Sequence, residues 1–269
     1  MLDEMFAVDR EIVVVTGVAG QLGLQYARAF LSRGARVVGL DLNISTSLEG
    51  LQDQFGDKFY FSECDVTDAA RLRTVAEDVL RKFGAVTVLI NNAAIDSPPG
   101  EARAETGPFE DYPDSSWDEV LEVNLKGTYL ACKVFGAQMA KNNGGSIINV
   151  SSIYGVVSPD QSIYEYRRRA GEVFFKPVAY AVSKSGVLNL TRYLAVYWAK
   201  SNVRVNTLVI GGVFNDQDKE FLGAYCQRIP IGRMAKEDEY NGALIFLASR
   251  ASQYMTGAQL VIDGGWTAI

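Results

Sequence analysis

Short runs of apolar, mostly β-branched residues alternate along the chain with longer segments whose apolar residues recur at helical spacing. The first run, EIVVVTG, ends in glycine and is followed by LGLQYARAFLSRGA, in which apolar residues return every three or four positions. The pattern predicts seven strands, at 11–17, 35–41, 58–64, 86–92, 145–152, 202–210 and 258–264. Such an alternation favours an α/β fold, a doubly wound parallel sheet with helices on both faces.

Ligands in doubly wound folds bind beyond the carboxyl ends of the strands, so we expect function in the loops that follow each strand. Two of these loops are predicted to be long, at about 95–114 and 153–178, and long loops in a compact domain are usually functional or disordered. No internal repeat or low-complexity linker interrupts the pattern. We therefore interpret residues 1–269 as a single domain.

Composition excludes several classes of function. The chain has a net charge of −6 and one basic run longer than two, Arg167 to Arg169, so we expect no nucleic-acid partner. It has no histidine, which removes Ser-His-Asp and Cys-His catalysis and the commonest zinc ligand, and no metal site is predicted. Three widely spaced cysteines, no signal peptide and no membrane span indicate a cytoplasmic protein.

The segment TGVAGQLG, Thr16 to Gly23, lies between the first strand and the first helix. In this context glycines allow a tight turn and a close approach of the backbone to a pyrophosphate, which the helix amino terminus can bind. Asp41, about 20 residues further on, can bind the ribose hydroxyls and repel a 2′-phosphate, which favours NAD over NADP. The alternatives are a glycine-rich turn without a ligand and a surface aspartate that caps a turn.

A tyrosine that acts as a base near neutral pH needs a nearby cation to stabilise its phenolate. Only Tyr164 and Tyr180, among the tyrosines of the second long loop and the start of the next helix, have a basic residue one helical turn later, Arg168 and Lys184 respectively. Tyr164 lies in a segment with no clear period, whereas Tyr180 begins a strong helical pattern. The sequence therefore favours the pair Tyr180 and Lys184.

The order and strand context of several motifs resemble the short-chain dehydrogenase/reductase family, single-domain branch, over essentially the whole chain from Glu11 to VIDGG. These motifs are the glycine loop, Asp41, NNAA (91–94), VNL (123–125), NVSS (149–152) and YAVSK (180–184). The resemblance implies a Rossmann-type sheet, hydride transfer between a nicotinamide and a secondary alcohol or ketone, and a homodimer or homotetramer. It also implies that Tyr180 is the general acid/base, that Lys184 lowers its pKa, that Ser152 binds the reacting oxygen and that Asn124 positions a relay water.

The same resemblance implies a set of residues that contact NAD. The set is Gly17, Gly20, Gln21, Leu22, Gly23, Asp41, Leu42, Asp65, Val66, Asn92, Ala93, Ala94, Tyr180, Lys184, Gly211 and Val213. Two departures bear on it: Gln21 stands where relatives have their second glycine, and Ile210 stands where they have the proline of PGxxxT. The glycine spacing is closer to that of the branch that acts on nucleotide sugars.

Ser152 and Tyr180 are 28 positions apart, against about a dozen in many relatives, so an insertion lengthens the loop between them. We consider that Arg167, Arg168 or Arg169 binds an anionic group of the substrate, the alternative being a solvated patch paired with Glu165 and Glu172. The loop resembles that of gluconate 5-dehydrogenase-like members and of relatives in bacterial surface-sugar pathways, which implies a sugar or sugar acid as the small-molecule substrate. A non-catalytic NAD-binding sensor or scaffold and a nucleotide-sugar-modifying enzyme are the alternative functions.

Overall fold

The computed structural model describes residues 4–96 and 105–269, and its centre is a seven-stranded sheet in which every pairing is parallel. The strands are β1 (Ile12–Thr16), β2 (Arg36–Asp41), β3 (Phe59–Glu63), β4 (Val88–Asn91), β5 (Gly145–Ser152), β6 (Val203–Ile210) and β7 (Gln259–Ile262). Their order in the sheet is β3-β2-β1-β4-β5-β6-β7. The predicted doubly wound sheet of seven strands is confirmed.

Helices pack on both faces of the sheet. In the described residues they are α1 (Gln21–Leu31), α2 (Thr46–Phe55), α3 (Ala69–Lys82), α4 (Asp114–Leu121), α5 (Thr128–Ala131), α6 (Ala137–Lys141), α7 (Glu165–Arg169), α8 (Val178–Trp198), α9 (Lys219–Cys226) and α10 (Asn241–Ala248). No helix in the described ranges is both long enough and apolar enough to cross a bilayer.

Strand β1 shows why the apolar runs form a central sheet. All five of its residues are buried. Val13 and Val15 pack on one face with α1 and α10, and Ile12 and Val14 pack on the other with α3 and α8. Successive side chains of a strand point to opposite faces, so a strand buried on both sides needs a continuous apolar run instead of an alternating one.

Helices α4, α5 and α6 belong to one helical run that also contains two π segments, Glu122–Gly127 and Cys132–Gly136. A π segment adds a residue to a turn and often lies at a functional site. The first of the two contains Asn124, whose side chain is buried.

The inserted segment between Ser152 and Tyr180 has structure that the sequence pattern did not predict. It contains 3-10 turns at Ile153–Gly155 and Gln161–Tyr164, followed by α7. A third apolar cluster lies beneath it, in which Ile163 and Tyr164 pack near Tyr225 and Trp266. Much of the other predicted long loop, residues 97–104, lies outside the described residues.

Strand order reverses at β1. The chain runs from β1 outward through β2 to β3, then returns to place β4 on the other side of β1. The loops after β1 and β4 therefore diverge to opposite faces and leave a crevice at the carboxyl edge of the sheet. This crevice is where the predicted functional residues meet.

Candidate active site

The first of two adjoining cavities at this edge has a volume of about 600 Å³ and lies beyond β1, β2, β3 and β4. Eleven of the residues expected to contact a dinucleotide line it: Gly17, Gly20, Gln21, Leu22, Asp41, Leu42, Asp65, Val66, Asn92, Ala93 and Ala94. Sequence reasoning missed six further lining residues, Ala19, Leu40, Cys64, Ile95, Glu119 and Val123. We call this cavity the cofactor cleft.

The glycines of the loop have different roles. Gly17 has a φ of +66°, and a Cβ there would lie 2.8 Å from Cα of Ala93. A Cβ on Gly23 would lie 2.1 Å from the carbonyl oxygen of Gly17, so Gly23 lets α1 pack against the turn and does not itself line the cleft. Helix α1 begins after Gly20, and no side chain caps its amino terminus. Its first N–H groups are thus available to a pyrophosphate, and the cleft fits a dinucleotide.

Asp41 is held at the mouth of the cofactor cleft by two backbone groups. Ala19 N–H donates to its Oδ2 at 2.8 Å, and Leu42 N–H donates to its Oδ1 at 2.8 Å. The carboxylate is therefore fixed in orientation and keeps further lone pairs for a ligand. Gln21, the departure noted above, donates from its Nε2 to the carbonyl oxygen of Phe214 at 3.0 Å and so ties the glycine loop to the segment after β6.

The second cavity, of about 310 Å³, lies beyond β5 and β6, and Leu22 lines it together with the cofactor cleft. Ser152, at the end of β5, and Tyr180, in the first turn of α8, both line it. Gly211 and Val213, which were expected to contact the dinucleotide, line this cavity and not the cofactor cleft. We call it the catalytic cleft.

Burial governs the ionisation of the two residues singled out by spacing. Burial and the negative charge of Asp96 raise the pKa of Tyr180 to about 12, and interaction with Ser152 acts in the opposite direction. Burial lowers the pKa of Lys184 to about 8. Lys184 Nζ donates to the carbonyl oxygen of Val150 at 3.0 Å and lies 5.8 Å from the ring centroid of Tyr180. Both shifts favour the neutral form of each group, as desolvation requires.

Asn124 connects the π segment to the loop after β4. Its Oδ1 accepts from the backbone N–H of Ile95 at 2.8 Å, and its Nδ2 donates to the carbonyl oxygen of Ile95 at 2.8 Å and to Ser183 Oγ at 3.0 Å. The side chain therefore fixes the backbone of Ile95, one of the residues lining the cofactor cleft.

The arginines of the inserted segment are engaged within that segment. Arg168 donates to Glu165 and to the carbonyl oxygens of Gln161 and Phe174. The guanidinium of Arg167 lies over the ring of Phe174, and the side chain of Arg169 is 79% exposed. None of the three is among the described residues that line the catalytic cleft, and binding of an anionic substrate group by one of them stays a prediction.

The cation of the inserted segment that does line the catalytic cleft is Lys176, paired with Asp96 across the cleft. Sequence reasoning missed both, because 80 positions separate them and no motif links them. It also missed an aromatic wall formed by Tyr154, Tyr164, Phe221 and Tyr225.

Comparison with known proteins places this geometry among dehydrogenases. A D-threitol dehydrogenase of Mycolicibacterium smegmatis is 35% identical, with 99% of this chain and 96% of the relative covered. The crystal structure of a gluconate 5-dehydrogenase from Burkholderia cenocepacia with NADP and tartrate is 27% identical (TM-score 0.85; 99% and 98% covered). A short-chain dehydrogenase from Leptospira borgpetersenii with bound NAD+ is 32% identical (TM-score 0.83; 96% and 92% covered).

Residues 17–267 match the family model described as enoyl-(acyl carrier protein) reductase. The matched range includes all the residues predicted to form the two clefts. The dehydrogenase relatives are similar to this chain over nearly the same range. The protein belongs to the short-chain dehydrogenase/reductase family and is an oxidoreductase that uses a pyridine nucleotide to act on a CH–OH group.

Proposed function

We propose that this protein is an NAD-dependent dehydrogenase of neutral polyols or sugars, with Tyr180 as its proton acceptor. One observation carries the proposal: Ser152 and Tyr180 line a small cleft that shares the lining residue Leu22 with the cofactor cleft. A secondary alcohol in the catalytic cleft would meet a proton acceptor on one side and a dinucleotide on the other.

The dinucleotide, when bound, supplies the hydride acceptor, so that oxidation of the alcohol yields a ketone and releases one proton. Tyr180 Oη takes the hydroxyl proton, and Ser152 Oγ holds the same substrate oxygen by a hydrogen bond. Lys184, as a buried cation near the Tyr180 ring, favours the phenolate that this step requires. Asn124 fixes the backbone of Ile95 and thereby shapes the wall of the cofactor cleft.

The preference for NAD rests on Asp41. Its carboxylate is oriented by Ala19 and Leu42 at the place where an adenosine ribose would lie, and a negative charge there disfavours a 2′-phosphate. No arginine or lysine is among the described residues that line the cofactor cleft. Solved relatives with NAD and with NADP are both known, so cofactor choice is a property of individual chains.

The preference for a neutral substrate rests on charge. Asp96 and Lys176 are the two charged side chains among the described lining residues of the catalytic cleft, and their charges cancel. The D-threitol dehydrogenase at 35% identity is named for a neutral polyol, which supports this choice over the sugar acid suggested by the resemblance.

We also propose a cytoplasmic homo-oligomer, in which the exposed Tyr193, Val196 and Tyr197 of α8 contribute to subunit contact.

NADH formation with a panel of tetritols, pentitols, aldohexoses and aldonates, with NAD and NADP in parallel, tests the proposal. We expect turnover on neutral polyols with NAD at least ten times more efficient than with NADP. Turnover confined to aldonates would overturn the substrate class. Absence of turnover with every alcohol and every corresponding ketone, with NADH binding retained, would favour the non-catalytic sensor.

A further inference from the structure

The catalytic cleft contains one ion pair that the proposed proton transfer does not use. Lys176 Nζ lies 2.5 Å from Asp96 Oδ2, and the side chain of Lys176 is 16% exposed while that of Asp96 is 51% exposed. A pair at an open surface contributes little to stability, because water solvates both charges. This pair instead lines the catalytic cleft beside the aromatic wall, where the Lys176 side chain is shielded from water and the Asp96 carboxylate stays open to a ligand.

Each partner is held by two hydrogen bonds to the neighbouring backbone. Asn124 binds both the N–H and the carbonyl oxygen of Ile95, the residue before Asp96. Gln161 accepts from the N–H of Lys176 at 2.8 Å and donates to its carbonyl oxygen at 3.4 Å. Two loops distant in sequence are thus fixed so that a carboxylate and an ammonium group meet at one point. Such support is what precise recognition of a small ligand requires.

The pair is also close to the proposed proton acceptor. Lys176 Nζ lies 5.4 Å from the ring centroid of Tyr180, which is comparable with the 5.8 Å for Lys184 Nζ. A group this close to the Tyr180 ring can reach a hydroxyl on the carbon next to the reacting carbon of a polyol. The carboxylate accepts hydrogen bonds and the ammonium donates them, and a hydroxyl does both.

We propose that Asp96 and Lys176 form the recognition site for the hydroxyl adjacent to the reacting carbinol, with Asp96 accepting from that hydroxyl and Lys176 donating to it. The inference rests on the proposed function and deepens it, since it names a vicinal diol as the structural element that the enzyme selects. Because the charges of Asp96 and Lys176 cancel, the pair offers no net attraction to a substrate carboxylate and favours the neutral diol over a sugar acid.

Four-carbon alcohols give a direct test. D-threitol, 2,3-butanediol and 2-butanol share a secondary carbinol, but 2-butanol lacks the adjacent hydroxyl. We expect Asp96→Asn and Lys176→Met each to reduce kcat/KM for threitol and 2,3-butanediol by about 10-fold to 100-fold, because each removes a charged hydrogen-bonding partner. For 2-butanol, measured by single turnover with enzyme in excess, we expect a change of less than about 3-fold.

Three controls separate recognition from folding and from the chemistry. Asp78→Asn and Arg81→Met break an exposed ion pair in α3, far from both clefts, and should leave all three alcohols unaffected. The Tm and the NADH dissociation constant of every variant report whether the fold and the cofactor cleft are intact. Because Asp96 raises the pKa of Tyr180, the comparison uses the pH-independent limits of kcat/KM from full pH profiles.

An equal decrease in kcat/KM for the diols and for 2-butanol would overturn the recognition role. The ion pair would then serve only to connect two loops. Unchanged kcat/KM for the diols in both variants would overturn it as well. Failure of the proposed function has a different signature, because the wild-type protein would then oxidise none of the three alcohols although it binds NADH.

Discussion

The cofactor cleft and the catalytic cleft adjoin at Leu22, yet they are built in different ways. The cofactor cleft consists mainly of backbone and small side chains from consecutive strand ends, β1 to β4, and hydrogen bonds orient the carboxylates of Asp41 and Asp65 at its edge. The catalytic cleft is made by large or ionisable side chains from β5, α8, the segment after β6 and two long loops. Under the proposed function, the first would bind by shape and exposed N–H groups, and the second would act through groups whose pKa values burial has shifted.

This difference predicts that substitutions in the two clefts change different quantities. Changes in the cofactor cleft should alter NADH affinity and leave the chemical step of the bound complex unchanged. Changes in the catalytic cleft should alter turnover, its pH dependence or its substrate preference while NADH affinity is kept. The following predictions test this separation.

The largest effect is expected for Tyr180→Phe. Removing the phenol oxygen removes the proton acceptor, and we expect kcat to fall about 100-fold to 10,000-fold. The NADH dissociation constant, measured by fluorescence titration, should change less than about 3-fold, because the ring that packs in the cleft is kept. Tyr254→Phe, at a fully exposed tyrosine, is the matched control and should behave as wild type. Full turnover in Tyr180→Phe would contradict the proposed mechanism.

Next in size is Gly23→Ala. The added Cβ would meet the carbonyl oxygen of Gly17 at 2.1 Å, so α1 and the glycine loop must move apart. We expect a loss of about 1–3 kcal/mol in the free energy of unfolding and at least a 10-fold weaker NADH affinity. Urea denaturation measures the free energy of unfolding, and fluorescence titration measures the NADH affinity. Gly50→Ala in α2, where a Cβ meets no atom within 4 Å, should leave NADH affinity unchanged.

Lys184→Met should stabilise the protein while it abolishes efficient turnover. The pKa of Lys184 is about 8, against 10.5 for an ordinary lysine, so the unfolded chain binds this proton more tightly than the folded one. The cost of burying the charge is about 3 kcal/mol below pH 8 and disappears as pH rises towards 10.5. The lost hydrogen bond to Val150 offsets about 1 kcal/mol of this gain. We therefore expect the free energy of unfolding of Lys184→Met to exceed that of the wild type by about 2 kcal/mol at pH 7.

Unfolding of Lys184→Met and wild type in urea at pH 7 and pH 9.5 measures this gain and its decline. Lys126→Met, at a side chain that is 54% exposed, is the control and should show no such dependence on pH. A gain that stays constant between the two pH values would show that the charge of Lys184 is not its cause.

The smallest effect is expected for Asp41→Asn. The amide keeps the shape of the side chain but loses the charge that favours ribose hydroxyls over a 2′-phosphate. We expect kcat/KM for NAD to fall about 10-fold, so that the ratio of kcat/KM for NAD to kcat/KM for NADP becomes smaller. The kcat at saturating NAD should be nearly unchanged. Asp53→Asn, an exposed site in α2, should alter neither value. An unchanged preference in Asp41→Asn would remove Asp41 as the selector.

The cofactor cleft was largely predictable from the sequence, because its residues are consecutive in short motifs at strand ends. The loop from Thr16 to Gly23, Asp41 and the segment Asn92 to Ala94 each lie at the carboxyl end of a strand. Parallel strands bring their carboxyl ends to one edge, so the position of each motif along the chain nearly determines its place in the fold. Even so, the spacing could not separate Gly17, which lines the cleft, from Gly23, which packs behind it.

The substrate side was less predictable. Composition drew attention to the three arginines, but a local network within the inserted segment uses Arg168, and none of the trio is among the described lining residues of the catalytic cleft. Lys176, a single lysine without a motif, lies in the cleft because Gln161 holds its backbone and Asp96 attracts its charge.

The sequence by itself determined the seven-stranded parallel sheet, the cofactor cleft and the pair Tyr180 and Lys184, because each depends on hydrophobic periodicity or on spacing within one element. Only the tertiary structure decided which charges face the substrate and how far burial shifts the pKa values of Tyr180 and Lys184. Those properties depend on distances between segments up to 80 residues apart and on the exclusion of water around them, and neither is encoded in local spacing.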